Sequence, residues 1–327
     1  MPLGYGEIVE RLDPEKMELE RITGVACTLH TLLCLDADGN IWRVQELLQN
    51  KISIIKVSTA CKVRYVACGG MFAMLVDEND QAWSFGENSK GQLGLGDTIE
   101  RSKPILVDSM NSVSKISCCF ESTLFLHTNG TVFGAGCNKE GQIGLQRCPS
   151  TSHPQQLEIQ NDIIDIASGR EHSLFLDSDG RVYACGNNQK CQIGDNYNAN
   201  ERKVVKVEGL PEARISSVYC GSENSVFIDE YKSMWMTGRI GYYPMHKIPV
   251  PSKVSNVQNV STVSSGGYHT IVKESLGRIM VCGYNDTGQL GLGTRISCSD
   301  FVMLPEYLHD IIAESRSSDS LRKSARK

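Results

Sequence analysis

Three carboxylates stand at one recurring position of this chain: Glu121, Glu171 and Glu223, 50 and 52 residues apart. Such spacing does not assemble acid–base chemistry, which needs an acid and a base converging on one reacting atom. Brought onto adjacent turns of one face, the same groups form an acidic arc that steers a basic protein surface towards it. The equivalent positions outside the arc are Leu29, Met71 and Tyr268, so Met71 and Tyr268 give it apolar flanks. Two further contact candidates, Tyr242 and Tyr243, sit in an irregular stretch from Arg239 to His246, and aromatic side chains dominate interface energies. The competing reading is structural in both cases: solvated polar turns for the glutamates, packing beneath a loop for the tyrosines.

The other reactive side chains point to architecture. His30, His172 and His269 share one repeat position, where other repeats carry Phe72, Ser122 and Asn224, and no partnered nucleophile accompanies them. They are expected to hydrogen-bond neighbouring loops. The 13 cysteines include no Cys-x-x-Cys pair, and Cys68 with Cys220, like Cys185 with Cys282, fall at equivalent positions. That is the pattern of packing thiols in a reducing compartment. Cys118 and Cys119 are neighbours on a strand and point to opposite faces, which disfavours a shared metal. The recurring glycines lack the strand-to-helix context of a phosphate cradle. No catalytic residue, metal or cofactor is expected.

Positioning falls to a repeat. Gly-Gln-Leu-Gly at 91–94 returns as Gly-Gln-Ile-Gly at 141–144, Cys-Gln-Ile-Gly at 191–194 and Gly-Gln-Leu-Gly at 288–291. A fixed period of this size is the signature of a repeat architecture. Aligned upstream, the repeats share Cys27, Gly69, Cys119, Gly169, Gly221 and Gly266, spaced 42, 50, 50, 52 and 45 residues apart. Turn dipeptides follow in register, among them Asp38-Gly39, Asn129-Gly130 and Asp179-Gly180; only Lys232-Ser233 lacks a turn residue. Three residues after each turn comes a large side chain: Trp42, Trp83, Phe133, Tyr183, Trp235 and Met280. Apolar residues alternate around these with the period of strands, and several short antiparallel strands per unit describe propeller blades.

The order of an Ile-x-x-Ile/Val strand, a Gly and often a His, an Asp-Gly turn, an aromatic-x-x-Gly strand, then Asn and Gly-Gln-Leu-Gly resembles the regulator of chromosome condensation repeat. Its best matches are 63–107, 163–194 and 260–294, and the resemblance runs over about 22–306. It implies an all-β, seven-bladed propeller. Six repeats are clear; the seventh is expected to be shared between Gly4-Tyr5-Gly6 and a segment around Ile311 to Leu321, with a six-bladed ring as the alternative. Residues 1–315 then form one propeller domain and 316–327 a basic, Ser-rich tail or the frayed last blade.

The resemblance also implies an activity, since the founding member exchanges guanine nucleotide on the Ran GTPase through a protruding wedge and is held on chromatin by a basic N-terminal tail. Here no repeat spacing exceeds 52 residues, and Glu7, Glu10, Asp13, Glu15, Glu18 and Glu20 make the N-terminal stretch acidic. The net charge of −5 argues against a phosphate-binding stripe, so no direct DNA binding is expected. No apolar run reaches membrane-spanning length and no signal-peptide plan is present, which places the chain in the cytosol or nucleus. Two functions follow: a protein–protein interaction propeller acting as adaptor or regulatory subunit, or a guanine-nucleotide exchange factor for a Ran-like or other small GTPase.

Overall fold

A computed structural model describes residues 11–12, 21–47, 51–146, 148–195, 199–241 and 246–305. The described strands form six antiparallel sheets, one for each clear repeat. The first sheet joins Ile22–Cys27, Leu32–Asp36, Ile41–Leu47 and Lys51–Val57, with Arg11–Leu12 added at its edge. The second is Val63–Cys68, Phe72–Asp77, Ala82–Gly86 and Arg101–Leu106; the third Val113–Cys118, Ser122–His127, Val132–Cys137 and Ser150–Gln156. The fourth is Ile163–Ser168, His172–Asp177, Val182–Gly186 and Glu201–Lys206. The fifth is Ile215–Cys220, Asn224–Asp229, Met234–Ile240 and His246–Lys253; the sixth Val260–Ser265, His269–Glu274, Ile279–Gly283 and Cys298–Met303.

The expectation of seven blades is therefore corrected to six. Continuing the period towards residue 311 overcounted, because that segment has none of the turn and aromatic marks that accompany the six clear repeats. The N-terminal strand does not begin a further blade: Arg11 and Leu12 pair with Ile55 and Ile54 and extend the first sheet. Gly4-Tyr5-Gly6 and 311–321 lie outside the described residues.

The chain divides into two compact units. The first is Met1–Asn187 with Ala199–Lys206, and the second Asn188–Asn198 with Val207–Lys327. In the first unit the core lies between successive sheets, for example Phe72, Met74 and Leu93 of one repeat against Ile116 and Phe125 of the next. In the second, Met234, Met236 and Ile240 pack on Val263, Val272 and Phe301 in the same way. The second strand of a blade has a strand on each side and is buried on both faces, so Phe72–Asp77, His172–Asp177 and Asn224–Asp229 are buried throughout. Each large side chain enclosed there contributes about 1.5–3 kcal/mol.

Two local devices make the repeat. The first is an aspartate ending the second strand. Asp77 Oδ1 accepts the N–H groups of Asn79 and Gln81 at 2.8 and 3.0 Å, and its Oδ2 accepts the Trp83 indole N–H at 2.8 Å. Asp36 serves Trp42, Asp177 serves Tyr183 and Asp229 serves Trp235 in the same manner. This explains the turn at Lys232-Ser233: Asp229 accepts from the N–H groups of Tyr231 and Ser233, and Lys232 is held at φ 62° without a glycine.

The second device is the Gly-Gln-Leu-Gly loop. A buried asparagine braces it: Asn88 Oδ1 accepts the Leu93 N–H at 3.0 Å, and Asn138, Asn188 and Asn285 do the same for Ile143, Ile193 and Leu290. The braced loop lies over the fourth strand of the following blade. A Cβ on Gly91, whose φ is +82°, would come within 2.5 Å of the Ser152 Cα, so only glycine fits. Arg202 meets Gly141 in the same way within the first unit. The loop carbonyl then takes a hydroxyl from the next blade's second strand, Thr123 to Gln92 and Ser173 to Gln142. Within the second unit Ser225 donates likewise to Gln192.

Candidate protein-binding face

The turn between the first and second strands of each blade carries the positions singled out above. In the first unit these turns are tied edge to edge by main-chain bonds. Leu29 N–H donates to Gly70 C=O at 2.9 Å, Gly70 N–H to Phe120 C=O at 2.9 Å, and Phe120 N–H to Arg170 C=O at 3.3 Å. Leu29, Met71, Phe120, Glu121, Arg170 and Glu171 thus fall on one strip. Leu29 is 58% exposed and Met71 52%, two uncovered aliphatic side chains at one end of it. At the other end Glu121 and Glu171 are half-buried, and the Arg170 guanidinium lies 5.1 Å from the centre of the Phe120 ring. Glu171 also accepts from Asn187 Nδ2 at 3.2 Å, which fixes its carboxylate.

The structure brings Met71, Glu121 and Glu171 together, but Glu223 and Tyr268 meet in the second unit around Arg239, which the sequence reading put at the start of an irregular stretch and which instead lies in the strand Met234–Ile240. Arg239 forms an ion pair with Glu223 and lies 4.9 Å from the centre of the Tyr268 ring. The Arg239 and Glu223 side chains are only 10% and 19% exposed, so this carboxylate is neutralised in place and not offered to solvent as a free charge. A signal for it was present. The residue after the third-strand glycine lies 16 positions beyond the turn residue and donates its N–H to that residue's carbonyl, as in Asn187 to Glu171 and Arg239 to Glu223. Tyr242 and Tyr243 lie outside the described residues.

The histidines and thiols differ in burial, His30 and Cys27 being exposed. His172 is buried, and burial lowers the pKa of the half-buried His269. Burial pushes the Cys68 thiol up to about 12, and Cys118 and Cys282 are raised by the same cause, so these thiols stay protonated at neutral pH and are poor nucleophiles. None of the 13 cysteines forms a disulfide, and among the described residues no cluster of His, Cys, Asp or Glu has the geometry to hold a metal ion. No helix among the described residues is long and apolar enough to cross a membrane.

Sheets of one repeated four-strand unit, keyed to one another by a glycine loop, define a repeat β-propeller. Residues 79–126, 129–176 and 179–228 match the Regulator of chromosome condensation (RCC1) repeat, and 113–142 and 163–192 match a second model of the same repeat. The chain thus carries RCC1 repeats between residues 79 and 228. It is 37% identical over 67 residues to the X-linked retinitis pigmentosa GTPase regulator of Canis lupus familiaris, a stretch covering 20% of this chain and 7% of that protein. It is 28% identical over 123 residues to the ultraviolet-B receptor UVR8 of Arabidopsis thaliana, 33% of this chain and 28% of the receptor. The matched stretches thus span under a third of either relative. Among solved structures, human WBSCR16 superposes with a TM-score of 0.75 at 19% identity, over 87% of this chain and 82% of that one. Yeast RCC1 (Prp20), in a structure with Kap60, gives a TM-score of 0.76 at 18% identity over 87% of this chain and 75% of that one. These two show the fold.

Proposed function

We propose that the chain is a non-catalytic protein-binding propeller, an adaptor or regulatory subunit, whose partner docks on the strip of turns in the first unit. The observation that carries this reading is the edge-to-edge bonding of those turns, which sets exposed Leu29 and Met71 beside Glu121 and Glu171. Aliphatic contacts supply the desolvated centre of an interface, and two carboxylates against one guanidinium favour a partner with basic residues at its rim. Protein binding also accompanies the fold elsewhere: a Saccharomyces cerevisiae Prp20p structure is described together with its binding to Gsp1p and histones. Thirteen cysteines without a disulfide among them favour a reducing compartment, which the cytosol, the nucleus and the mitochondrial matrix all provide.

Guanine-nucleotide exchange is the second reading, favoured by that neighbour's binding to Gsp1p. The two separate in one set of measurements. The affinity of a captured partner is compared for the native chain, Met71→Asp, Glu171→Lys and Glu223→Gln, alongside release of labelled GDP from a panel of small GTPases. The adaptor reading expects loss of binding in the first two variants, retention in Glu223→Gln, and no acceleration of release. Full binding by Met71→Asp and Glu171→Lys refutes the strip, and strong acceleration by the native chain establishes exchange.

A further inference from the structure

The outer edge of each blade is its fourth strand, and the blades differ there at one position. The reference point is the fourth-strand residue that pairs with the large third-strand side chain, as Lys56 does with Trp42 and Lys206 with Tyr183. Two residues before it stand Ile54, Pro104, Pro154, Val204, Pro251 and Phe301 in the six blades. Main-chain groups alternate in direction along a paired strand. Val107 and Leu157 donate their N–H groups inward to the Ala82 and Val132 carbonyls at 2.9 Å, so positions 104 and 154, an odd number of residues away, face outward from the sheet.

This position separates blades that can take a further strand from those that cannot. In the first blade Ile54 keeps its N–H, and there the strand Arg11–Leu12 is added, with Leu12 against Ile54. Proline has no N–H to give, so the edges of the second, third and fifth blades are blocked. In the sixth, the Phe301 carbonyl faces outward but already accepts from Asn256 Nδ2 at 2.8 Å. The fourth blade is the remaining case. Val204 Cγ2 lies 2.9 Å from where a Cβ on Gly144 would stand, as Pro154 Cγ lies 3.1 Å from one on Gly94, so valine fills the seat that proline fills in the third blade. It packs like the proline but keeps an N–H, and among the described residues no strand pairs with the outer side of Glu201–Lys206.

We propose that the outer edge of the fourth blade is a strand-addition site, where an extended acidic segment of another protein pairs with Glu201–Lys206 as a fifth strand. Main-chain bonds at Val204 supply the pairing, and side chains select the occupant. Arg202 and Lys203 are exposed, and Arg202 Nη2 donates to the Lys139 carbonyl at 2.6 Å, which brings the exposed Lys139 to the same edge. These three cations stand against the half-buried Glu140 and Glu201. Carboxylates placed across from them are favoured, and a basic strand is repelled. The edge acts independently of the strip of turns.

The probe is a displayed library of random short peptides, selected on the full chain with the Val204→Pro chain as counter-selection. Selected peptides are then followed by fluorescence anisotropy and by hydrogen exchange resolved to single amides. In the free chain the outward Val204 amide should exchange about tenfold or more faster than the inward Val205 amide. Acidic peptides should be enriched and should protect the Val204 amide on binding. Their affinity for Val204→Pro should fall about tenfold or more, since that change removes the donor and keeps the packing. Lys203→Glu should weaken the same peptides, whereas Met71→Asp should leave them unaffected, which separates this edge from the strip. Slow exchange of the Val204 amide in the free chain, no enrichment of acidic peptides, or equal binding by Val204→Pro overturns the proposal.

Discussion

Thr123, on the second strand of the third blade, donates its hydroxyl at 2.8 Å to the main-chain carbonyl of Gln92, in the loop of the second blade. Both residues are buried, so the bond is shielded from water and the carbonyl has no solvent to fall back on. Thr123→Val keeps the shape and removes the donor, and should cost about 1–3 kcal/mol in urea unfolding. Thr270→Val, which breaks a bond to the half-buried Ser265, should cost less. Equal losses would mean that the loop bond adds nothing to the seam.

Gly91 and Gly288 share a backbone conformation, φ +82° and +85°, but differ in surroundings. A Cβ on Gly91 would collide with the Ser152 main chain, whereas among the described residues one on Gly288 meets nothing within 4 Å. Both Ala variants carry the left-handed strain of about 1 kcal/mol. Only Gly91→Ala adds a backbone clash, so its melting temperature should fall distinctly further than that of Gly288→Ala.

Asp77 predicts a pH dependence. Burial pushes its carboxyl up, but the Gln81 N–H, the Trp83 indole, the Cys61 thiol and the Asn79 N–H together outweigh that and hold it below the ordinary value of 3.8. A carboxyl depressed in the native state stabilises the fold fully above its unfolded pKa and loses that contribution as pH falls through the native value. Stability should be flat in this respect from neutral pH to about 5 and fall steeply below 4. Asp77→Ala should cost about 2–3 kcal/mol at neutral pH and flatten the acid limb of the curve.

Arg239 tests the placement of Glu223. Arg239→Ala leaves a largely buried carboxylate without its partner and should cost about 3 kcal/mol or more. The double variant Arg239→Ala with Glu223→Gln removes the orphaned charge and should recover much of that loss. Additive losses in a double-mutant cycle would show that the two side chains act separately.

Much of this architecture was legible in the sequence. The period located every clear blade, the turn dipeptides located the hairpins, and the position two after the shared glycine identified the turns that the first unit ties into one strip. The blade count failed because a period can be extrapolated too far: Ser315, in the segment assigned to a seventh blade, stands 49 residues beyond Gly266, but spacing alone, without the turn and aromatic marks, does not identify a blade. The acidic arc shrank for a different reason. Glu223 was read by its own position, whereas its charge is decided by Arg239, 16 residues away on the third strand, and a pairing across strands is visible only once register is known. Asp77 and its equivalents were missed because a strand-ending carboxylate looks solvent-facing until the turn closes over it.

The most direct test of the central claim is photo-crosslinking from defined positions. A benzophenone amino acid is placed at Met71, at Glu171, and at the exposed Glu158 outside the strip, and captured proteins are identified by mass spectrometry. The account predicts one shared partner crosslinked from 71 and 171 and absent from 158. Capture of the partner from 158 with none from 71 or 171 would contradict it.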